Sequence, residues 1–332
     1  MALSLSQPLL FQALAGKKNV LIAGCGGGYD VYSGIPLFAA LKNQGVNVHL
    51  ANLTFTELDG IGGDWLTDRC VCVRASDERI VNPGQSTGAG RGLNYFPEYY
   101  LSKYFAVKHE WDVPIYTIDR KVGARQLAEA YSALVEKFSI DAILCVDGGT
   151  DSLMFGDEHK LGTPTEDSTS IAGINILQAP IPKFLICLGF GVDHFHGVSH
   201  HLFLENTATL TVDGGFLGAF SLPVQTPEAQ MLLDTYDYVS SLTLDSIVCS
   251  SVCNAVRGRF GNVQSSQRTA SSELYINPLM SMYWCYELQA VANRMPHMSK
   301  LMETTSRYEV RKVIEQYRDS LGGLRPAKSI PL

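Results

Sequence analysis

Residues 141–167 constrain the fold more than any other part of the chain. An apolar run over residues 142–146 ends at Asp147. Two glycines follow directly, and five further carboxylates lie within the next twenty positions. A short apolar run of this kind is typical of a parallel strand covered on both faces. Open parallel sheets bind ligands at the carboxyl ends of their strands, so the loop after residue 146 is a candidate site. A solvated turn is the alternative, because Asp and Gly are common turn residues.

Strands and helices alternate along most of the chain, which predicts an α/β fold with a doubly wound, mostly parallel sheet, helices on both faces and a helical C-terminal portion. We expect a single domain over residues 1–332, with the sheet core in 18–250 and C-terminal helices in 270–325. Strands are predicted at 18–23, 46–53, 113–118, 142–146, 183–188 and 274–277. Helices are predicted at 5–15, 33–44, 97–105, 123–137, 165–177, 227–241, 278–294 and 299–321. Residues 246–254 fit either a strand or a helix.

Composition limits the classes of partner. The net charge of −7 argues against nucleic acid, whose phosphates need a basic face. No apolar run approaches the roughly 18 residues of a membrane span, and the N-terminus lacks the pattern of a secretory signal. The eight cysteines form no pair of CxxC motifs, which favours buried free thiols. We therefore expect a cytoplasmic protein with a small-molecule substrate; homo-oligomerisation is left open.

A glycine loop follows the first predicted strand. Gly26, Gly27 and Gly28 could bring backbone N–H groups close to a ligand, and Asp30 could bind its hydroxyl, ammonium or metal group. The dinucleotide pattern G-x-G-x-x-G would need a glycine where Tyr29 stands. A phosphate would also meet the negative charge of Asp30, so a standard NAD site is disfavoured. A helix N-cap is the alternative role for Asp30.

The acidic loop itself supplies the main candidates for chemistry. Asp147 and Asp151 are predicted catalytic residues, and Gly148, Gly149 and Thr150 are predicted to contact the substrate. Carboxylates that lie close together are costly unless a cation, a donor or a hydroxyl group offsets their charge. Such a loop suits a ligand rich in hydroxyls, a cationic group, or a divalent ion such as Mg²⁺. The predicted metal ligands are Asp147, Asp151 and Asp193.

Four of the eight histidines lie within residues 193–201, just after a predicted strand. Histidine exchanges protons near neutral pH, so His194 or His196 is a candidate catalytic acid or base. Asp193 is a candidate for substrate binding. Hydrogen-bonded surface histidines are the alternative interpretation.

Two further candidates for substrate binding are Glu158, in the acidic stretch, and Arg91. Arg91 belongs to residues 83–92, whose five Gly and Pro residues fit a loop that covers a pocket.

Several separated motifs resemble one known family. They are GGGYD at 26–30, DGGTD at 147–151, GDE at 156–158 and TPTED at 163–167. Together they are similar to an uncharacterised prokaryotic family, the domain of unknown function 1152, over most of the chain. The resemblance implies a Rossmann-like α/β fold and gives no settled activity.

The leading functional hypothesis is an enzyme that acts on a small polar metabolite, hydroxyl-rich or like a nucleoside or amine, and hydrolyses a C–N or N-glycosidic bond. One alternative is an oxidoreductase or ligase that uses NAD or ATP at the glycine loop. DGGTDS at 147–152 is also similar to the SGGxDS loop of ATP pyrophosphatases, although Asp147 replaces the first serine. A third hypothesis is a non-catalytic ligand sensor.

Overall fold

A nine-stranded sheet forms the centre of the protein, for which a computed structural model describes residues 4, 6–59, 61, 63–77, 95–264 and 274–330. The strands are β1 (Asn19–Gly24), β2 (Asn47–Thr54), β3 (Asp64–Thr67), β4 (Cys70–Val73), β5 (Ile115–Asp119), β6 (Ala142–Gly148), β7 (Lys183–Leu188), β8 (Phe216–Ser221), β9 (Gly261–Asn262), β10 (Tyr275–Ile276) and β11 (Met282–Glu287). Strands β9 and β10 form a separate antiparallel pair.

Helices surround the sheet. They are α1 (Leu9–Ala13), α2 (Asp30–Ser33), α3 (Ile35–Asn43), α4 (Pro97–His109), α5 (Ala124–Phe138), α6 (Pro164–Ile176), α7 (His200–Val212), α8 (Pro227–Ser240), α9 (Ile247–Val256), α10 (Leu288–Arg294), α11 (Met298–Leu301) and α12 (Arg307–Asp319). Short 3-10 helices occur at Asp151–Leu153, Val192–His196 and Pro278–Ser281. Among the described helices, none is both long enough and apolar enough to cross a membrane.

The strand order is β3-β4-β5-β2-β1-β6-β7-β11-β8. The five strands from β5 to β7 are parallel, whereas β3, β4, β11 and β8 pair antiparallel at the two edges. The chain passes from β1 to β2 and β5 on one side, and then to β6 and β7 on the other side of β1. This is the doubly wound order of Rossmann-like folds, whose crevice lies at the carboxyl ends of the strands where the direction changes. The predicted α/β fold is confirmed, and its switch point lies between β1 and β6.

Both faces of the sheet are covered because the central strands are apolar on both sides. In β1, Leu21 and Ala23 pack into the core on one face, with α5 and α6. Val20 and Ile22 pack into the core on the other face, with α3 and α8. Alternate residues of a strand point to opposite faces, so an unbroken apolar run fills both cores.

Two predicted helices differ from the structure. The helix expected over residues 299–321 is divided into α11 and α12. The helix expected over residues 278–294 is instead a 3-10 turn, the strand β11 and the short helix α10. In β11, Tyr283 and Cys285 enter one core, while Trp284 and Tyr286 pack in the other. This alternation of bulky side chains suits a strand between two neighbours better than a helix with one buried face.

Other elements were not predicted or were left open. Strands β3, β4 and β8 and helix α7 were not predicted, and the region 246–254 is helix α9, which begins after the N-cap Ser246.

Candidate functional site

A cavity of about 330 Å³ lies at the switch point. Its walls come from the glycine loop after β1, the end of β6, the turns after β6 and β7, the first turn of α6 and the start of α9. These segments meet because the parallel strands β1, β6 and β7 end at the same edge of the sheet.

Five aspartates from different segments line this cavity. Asp30 begins α2, Asp147 ends the apolar part of β6, Asp151 begins the 3-10 turn that follows, Asp167 lies in the first turn of α6, and Asp193 lies in the turn after β7. All except Asp30 are at most 7 % exposed. We refer to these five residues as the aspartate cluster.

Backbone N–H groups at the end of β6 fix two carboxylates of the cluster that come from other segments. Gly148 N donates to Asp30 Oδ1 at 3.1 Å, which ties the start of α2 to the end of β6. Thr150 N donates to Asp193 Oδ2 at 2.6 Å. The N-cap of α2 is Tyr29, so Asp30 does not have the alternative role of a cap.

Two other members of the cluster are held by hydroxyl groups as well as by the backbone. Ser152 donates from Oγ to Asp147 Oδ2 at 2.5 Å. Thr163 donates from its backbone N at 2.8 Å and from Oγ1 at 3.0 Å to Asp151 Oδ2. Each carboxylate therefore has one oxygen anchored by the fold, which fixes its position at the cavity wall.

Asp167 differs from the other four. Its side chain is 4 % exposed, and Oδ2 has no hydrogen-bond partner among the described residues. An unsatisfied buried carboxylate oxygen is costly, and the cost falls if the group is protonated or if a ligand donates to it.

The cluster changes the protonation of its members. Burial, followed by the charge of Asp151, raises the pKa of Asp147 to about 8. Burial is also the main cause that raises the pKa of Asp30, Asp151, Asp167 and Asp193 above the ordinary value of aspartate. At neutral pH, the cluster therefore retains protons that a solvated aspartate would lose.

Few basic groups offset the carboxylates. Among the described residues of the wall, the basic side chains are Arg307 and His196, and Arg307 is paired with Glu166. Hydrogen bonds from Thr163 and the nearness of His196 oppose the effect of burial on the pKa of Asp151. The cavity is thus strongly acidic and has a histidine at its rim.

The glycine loop has a conformation that only glycine adopts easily. Gly26, Gly27 and Gly28 have φ of +127°, +97° and +63°. A Cβ atom at Gly26 would collide with the carboxylates of Asp30 and Asp167. The loop therefore lets carboxylates, rather than phosphates, approach its backbone.

The comparisons with known proteins identify a family. A family model described as "Protein of unknown function (DUF1152)" matches residues 21–318. The chain belongs to this family. The family predicted from the four short motifs is therefore confirmed. The chain matches no curated protein and no solved structure.

In this DUF1152 chain, most of the predicted site residues surround the cavity. They are Gly26, Gly27, Asp30, Asp147, Gly148, Asp151, Asp193 and His196. Gly149 and Thr150 lie directly behind this wall, where a Cβ at Gly149 would crowd Asp193. Gly28 is outside the wall and donates its N–H to Leu53 O at 3.0 Å.

Two more predicted residues, His194 and Glu158, are also outside the cavity wall. His194 is exposed and its ring lies 5.2 Å from that of His200, so of the two candidate histidines only His196 lines the wall. Glu158 is fully buried, where it accepts hydrogen bonds from Phe155 N and Gly156 N and pairs with Arg325. It is therefore structural. Arg91 and the predicted covering loop 83–92 lie outside the described residues.

The predicted metal ligands are close together but do not form a metal site. The described residues contain no group of three or more His, Cys, Asp or Glu side chains that could hold a metal ion. Asp147, Asp151 and Asp193 each use one oxygen for hydrogen bonds within the protein.

Three charged residues of the wall were not predicted as site residues. Asp167 and Glu166 belong to the TPTED motif, and the proline at the start of that motif indicates a helix whose first turn holds both. Arg307 lies about 140 residues later and has no motif around it. No signal in the sequence places it at the cavity.

Proposed function

We propose that this protein is an enzyme that hydrolyses a C–N or N-glycosidic bond in a small polar metabolite bound at the aspartate cluster. The observation that carries the proposal is the convergence of five aspartates and His196 on one cavity. Pairs of titratable groups with different environments are typical of acid–base catalysis.

Asp147 is the proton donor in this proposal. Its raised pKa, about 8, keeps it protonated at neutral pH, and Ser152 fixes one of its oxygens. A nitrogen leaving group needs a proton as its bond to carbon breaks, and a protonated carboxyl group in a buried site can supply it.

His196 is the proton acceptor. It lies at the exposed rim of the cavity, where water has access, and close enough to Asp151 to affect the charge of that carboxylate. A water molecule gives its proton to His196 and its oxygen forms a bond to carbon. The C–N bond breaks at the same time, and the proton of Asp147 goes to the nitrogen.

Asp30, Asp167 and Asp193 bind the substrate. Carboxylate oxygens accept hydrogen bonds from hydroxyl and amine groups, and Asp167 Oδ2 still lacks a donor. A substrate with several hydroxyls or with a cationic nitrogen therefore offsets the charge of the cluster, whereas an anionic group at the same place would be repelled.

The alternatives from the sequence have less support. A nucleotide phosphate at Gly26 would approach both Asp30 and Asp167, which argues against a nucleotide-dependent oxidoreductase or ligase at the glycine loop. A ligand sensor needs the same cavity without turnover, so an activity measurement separates it from an enzyme.

The test is turnover by purified protein with nucleosides, followed by release of the free base, and with small amines and amides, followed by release of ammonia. We expect Asp147→Asn and His196→Ala each to lower turnover at least about a hundredfold while the fold persists. The matched control for the carboxylate change is Asp319→Asn, at an exposed position on α12. His194→Ala should lower turnover less than His196→Ala does, because His194 is outside the cavity. Near-normal rates in both cavity variants would rule out these roles.

A further inference from the structure

A second cavity, of about 460 Å³, adjoins the first one. It lies between α12 and residues 159–166, which comprise the loop before α6 and the start of that helix. The two cavities share Thr163, Glu166 and Arg307 in their walls. A single ligand of modest size could therefore occupy both.

The charge of the second cavity is opposite to that of the first. Its cationic side chains are Lys160, Arg307, Arg311 and Arg318, and its anionic ones are Glu166 and Glu315. Four positive and two negative groups give a net +2 in a chain whose net charge is −7. We call this site the basic cavity.

Helix α12 presents three of these cations on one face. Arg307, Arg311 and Arg318 occupy positions i, i+4 and i+11, and the buried Ile314 lies on the same side of the helix. Arg318 donates to the carbonyl oxygens of Gly156 and Glu158, so it fixes the opposite loop in place.

Lys160 and Arg311 are the cations best placed for a ligand. Lys160 is exposed and makes no ion pair with any other residue that the structure describes, while Arg311 is 66 % exposed and pairs with Glu315 on its own helix. Both could turn towards an anion in the cavity at little cost, because surface pairs of this kind contribute little stability.

The start of α6 adds a second source of positive potential. Its N-cap, Thr163, uses its hydroxyl for Asp151 and makes no side-chain cap hydrogen bond to the helix. The N–H groups of Thr165 and Glu166, which follow Pro164 at a wall of the basic cavity, therefore have no acceptor in the N-cap side chain, although the same turn carries the carboxylates of Glu166 and Asp167. Helix N-termini and arginine side chains both favour phosphate oxygens.

We propose that the basic cavity binds the phosphate group of a phosphorylated metabolite whose hydroxyl or amine part occupies the aspartate cluster. The placement of the hydroxyl or amine part at the aspartate cluster rests on the proposed function. The inference restricts the substrate to molecules that carry a phosphate. The two halves of such a molecule match the opposite charges of the two cavities, and the phosphate lies away from the glycine loop.

The test is calorimetric titration of the full chain with inorganic phosphate at low ionic strength, where screening is weak. We expect saturable binding of one phosphate per chain. The double variant Lys160→Ala/Arg311→Ala should weaken it by at least about tenfold. The matched control, Lys300→Ala/Lys312→Ala, removes the same charge from exposed positions outside the basic cavity and should bind as the wild type does.

The other possible outcomes show whether the basic cavity binds phosphate, binds a carboxylate instead, or binds neither. Absence of phosphate binding, or equal weakening in both double variants, would overturn the proposal. Acetate that binds as tightly as phosphate, with the same dependence on Lys160 and Arg311, would overturn the choice of phosphate in favour of a carboxylate. Binding of phosphate requires no turnover and should survive Asp147→Asn, so failure of the proposed hydrolysis is seen separately.

Discussion

The raised pKa of Asp147 makes a prediction about stability. In the folded protein this pKa is about 8, whereas an aspartate in an unfolded chain has a pKa of about 3.9. Between these values the folded state holds a proton that the unfolded state has lost. The contribution of Asp147 to stability is therefore complete below the unfolded pKa and falls as pH rises towards 8. Asp147→Asn removes this dependence, since asparagine does not ionise.

The size of the effect follows from the pH window. From pH 5.5 to 8 is about 2.5 units, and at 1.36 kcal/mol per unit the full loss for one buried carboxylate is about 3 kcal/mol. Asp151 and the other members of the cluster share the retained protons, and buried side chains relax around a new charge. We therefore expect the wild type to lose about 2 kcal/mol more than the variant over this window.

The assay is urea unfolding at a series of pH values, with the free energy of unfolding extrapolated to water. Asparagine retains an acceptor for the hydrogen bonds from Ser152, so the variant should fold. Asp319→Asn is the surface control and should follow the wild-type curve. If the wild-type and Asp147→Asn free energies stay parallel from pH 5.5 to 8, the argument from burial is wrong.

Two further substitutions test the packing around the site by the same urea assay. Gly26→Ala should lower the free energy of unfolding by more than about 2 kcal/mol, because its Cβ collides with Asp30 and Asp167. Gly214→Ala is the control: its φ is also positive but its Cβ meets open space, so it should lower the free energy of unfolding by about 1 kcal/mol. Equal losses in the two variants would contradict the collision. Arg325→Ala should lower the free energy of unfolding by about 3 kcal/mol, because it leaves the fully buried Glu158 without its cation. A loss within error of zero would contradict this role of Arg325.

The parallel strands were predictable because each is buried on both faces. The predicted strand at 183–188 coincides with β7. The strand predicted at 142–146 is β6, which continues two residues further, to Gly148. An unbroken apolar run leaves little doubt between strand and loop when glycine or a carboxylate follows it.

The antiparallel strand β11 was not predictable in the same way. Residues 282–287 contain aromatic side chains next to a real helix, α10, so one longer helix fits the local pattern. What makes the segment a strand is its place between β7 and β8, on which its side chains pack towards both cores. Those partners are up to about a hundred residues away in the sequence, and tertiary context decides strand formation.

In the site, too, some residues follow from the local sequence pattern and others depend on distant partners. The sequence indicated the acidic loop and Asp193 because each follows an apolar strand, and strand ends meet at one edge of a parallel sheet. Arg307 reaches the cavity only because α12 packs against α6. Glu158 has the same local signal as its neighbours, yet Arg325, far along the chain, makes it structural.

The glycine loop of this chain has different surroundings from the glycine loop of nucleotide-binding Rossmann-like folds. In Rossmann-like folds the glycines after β1 let a pyrophosphate approach the backbone. Here the carboxylates of Asp30 and Asp167 fill the space beside Gly26. The positive φ of the loop and the lack of a Cβ therefore allow these two side chains to approach the backbone. A phosphate cannot replace them without repulsion, whereas a hydroxyl or amine can donate to them. The proposed phosphate site in the basic cavity, on the far side of the first turn of α6, avoids this repulsion.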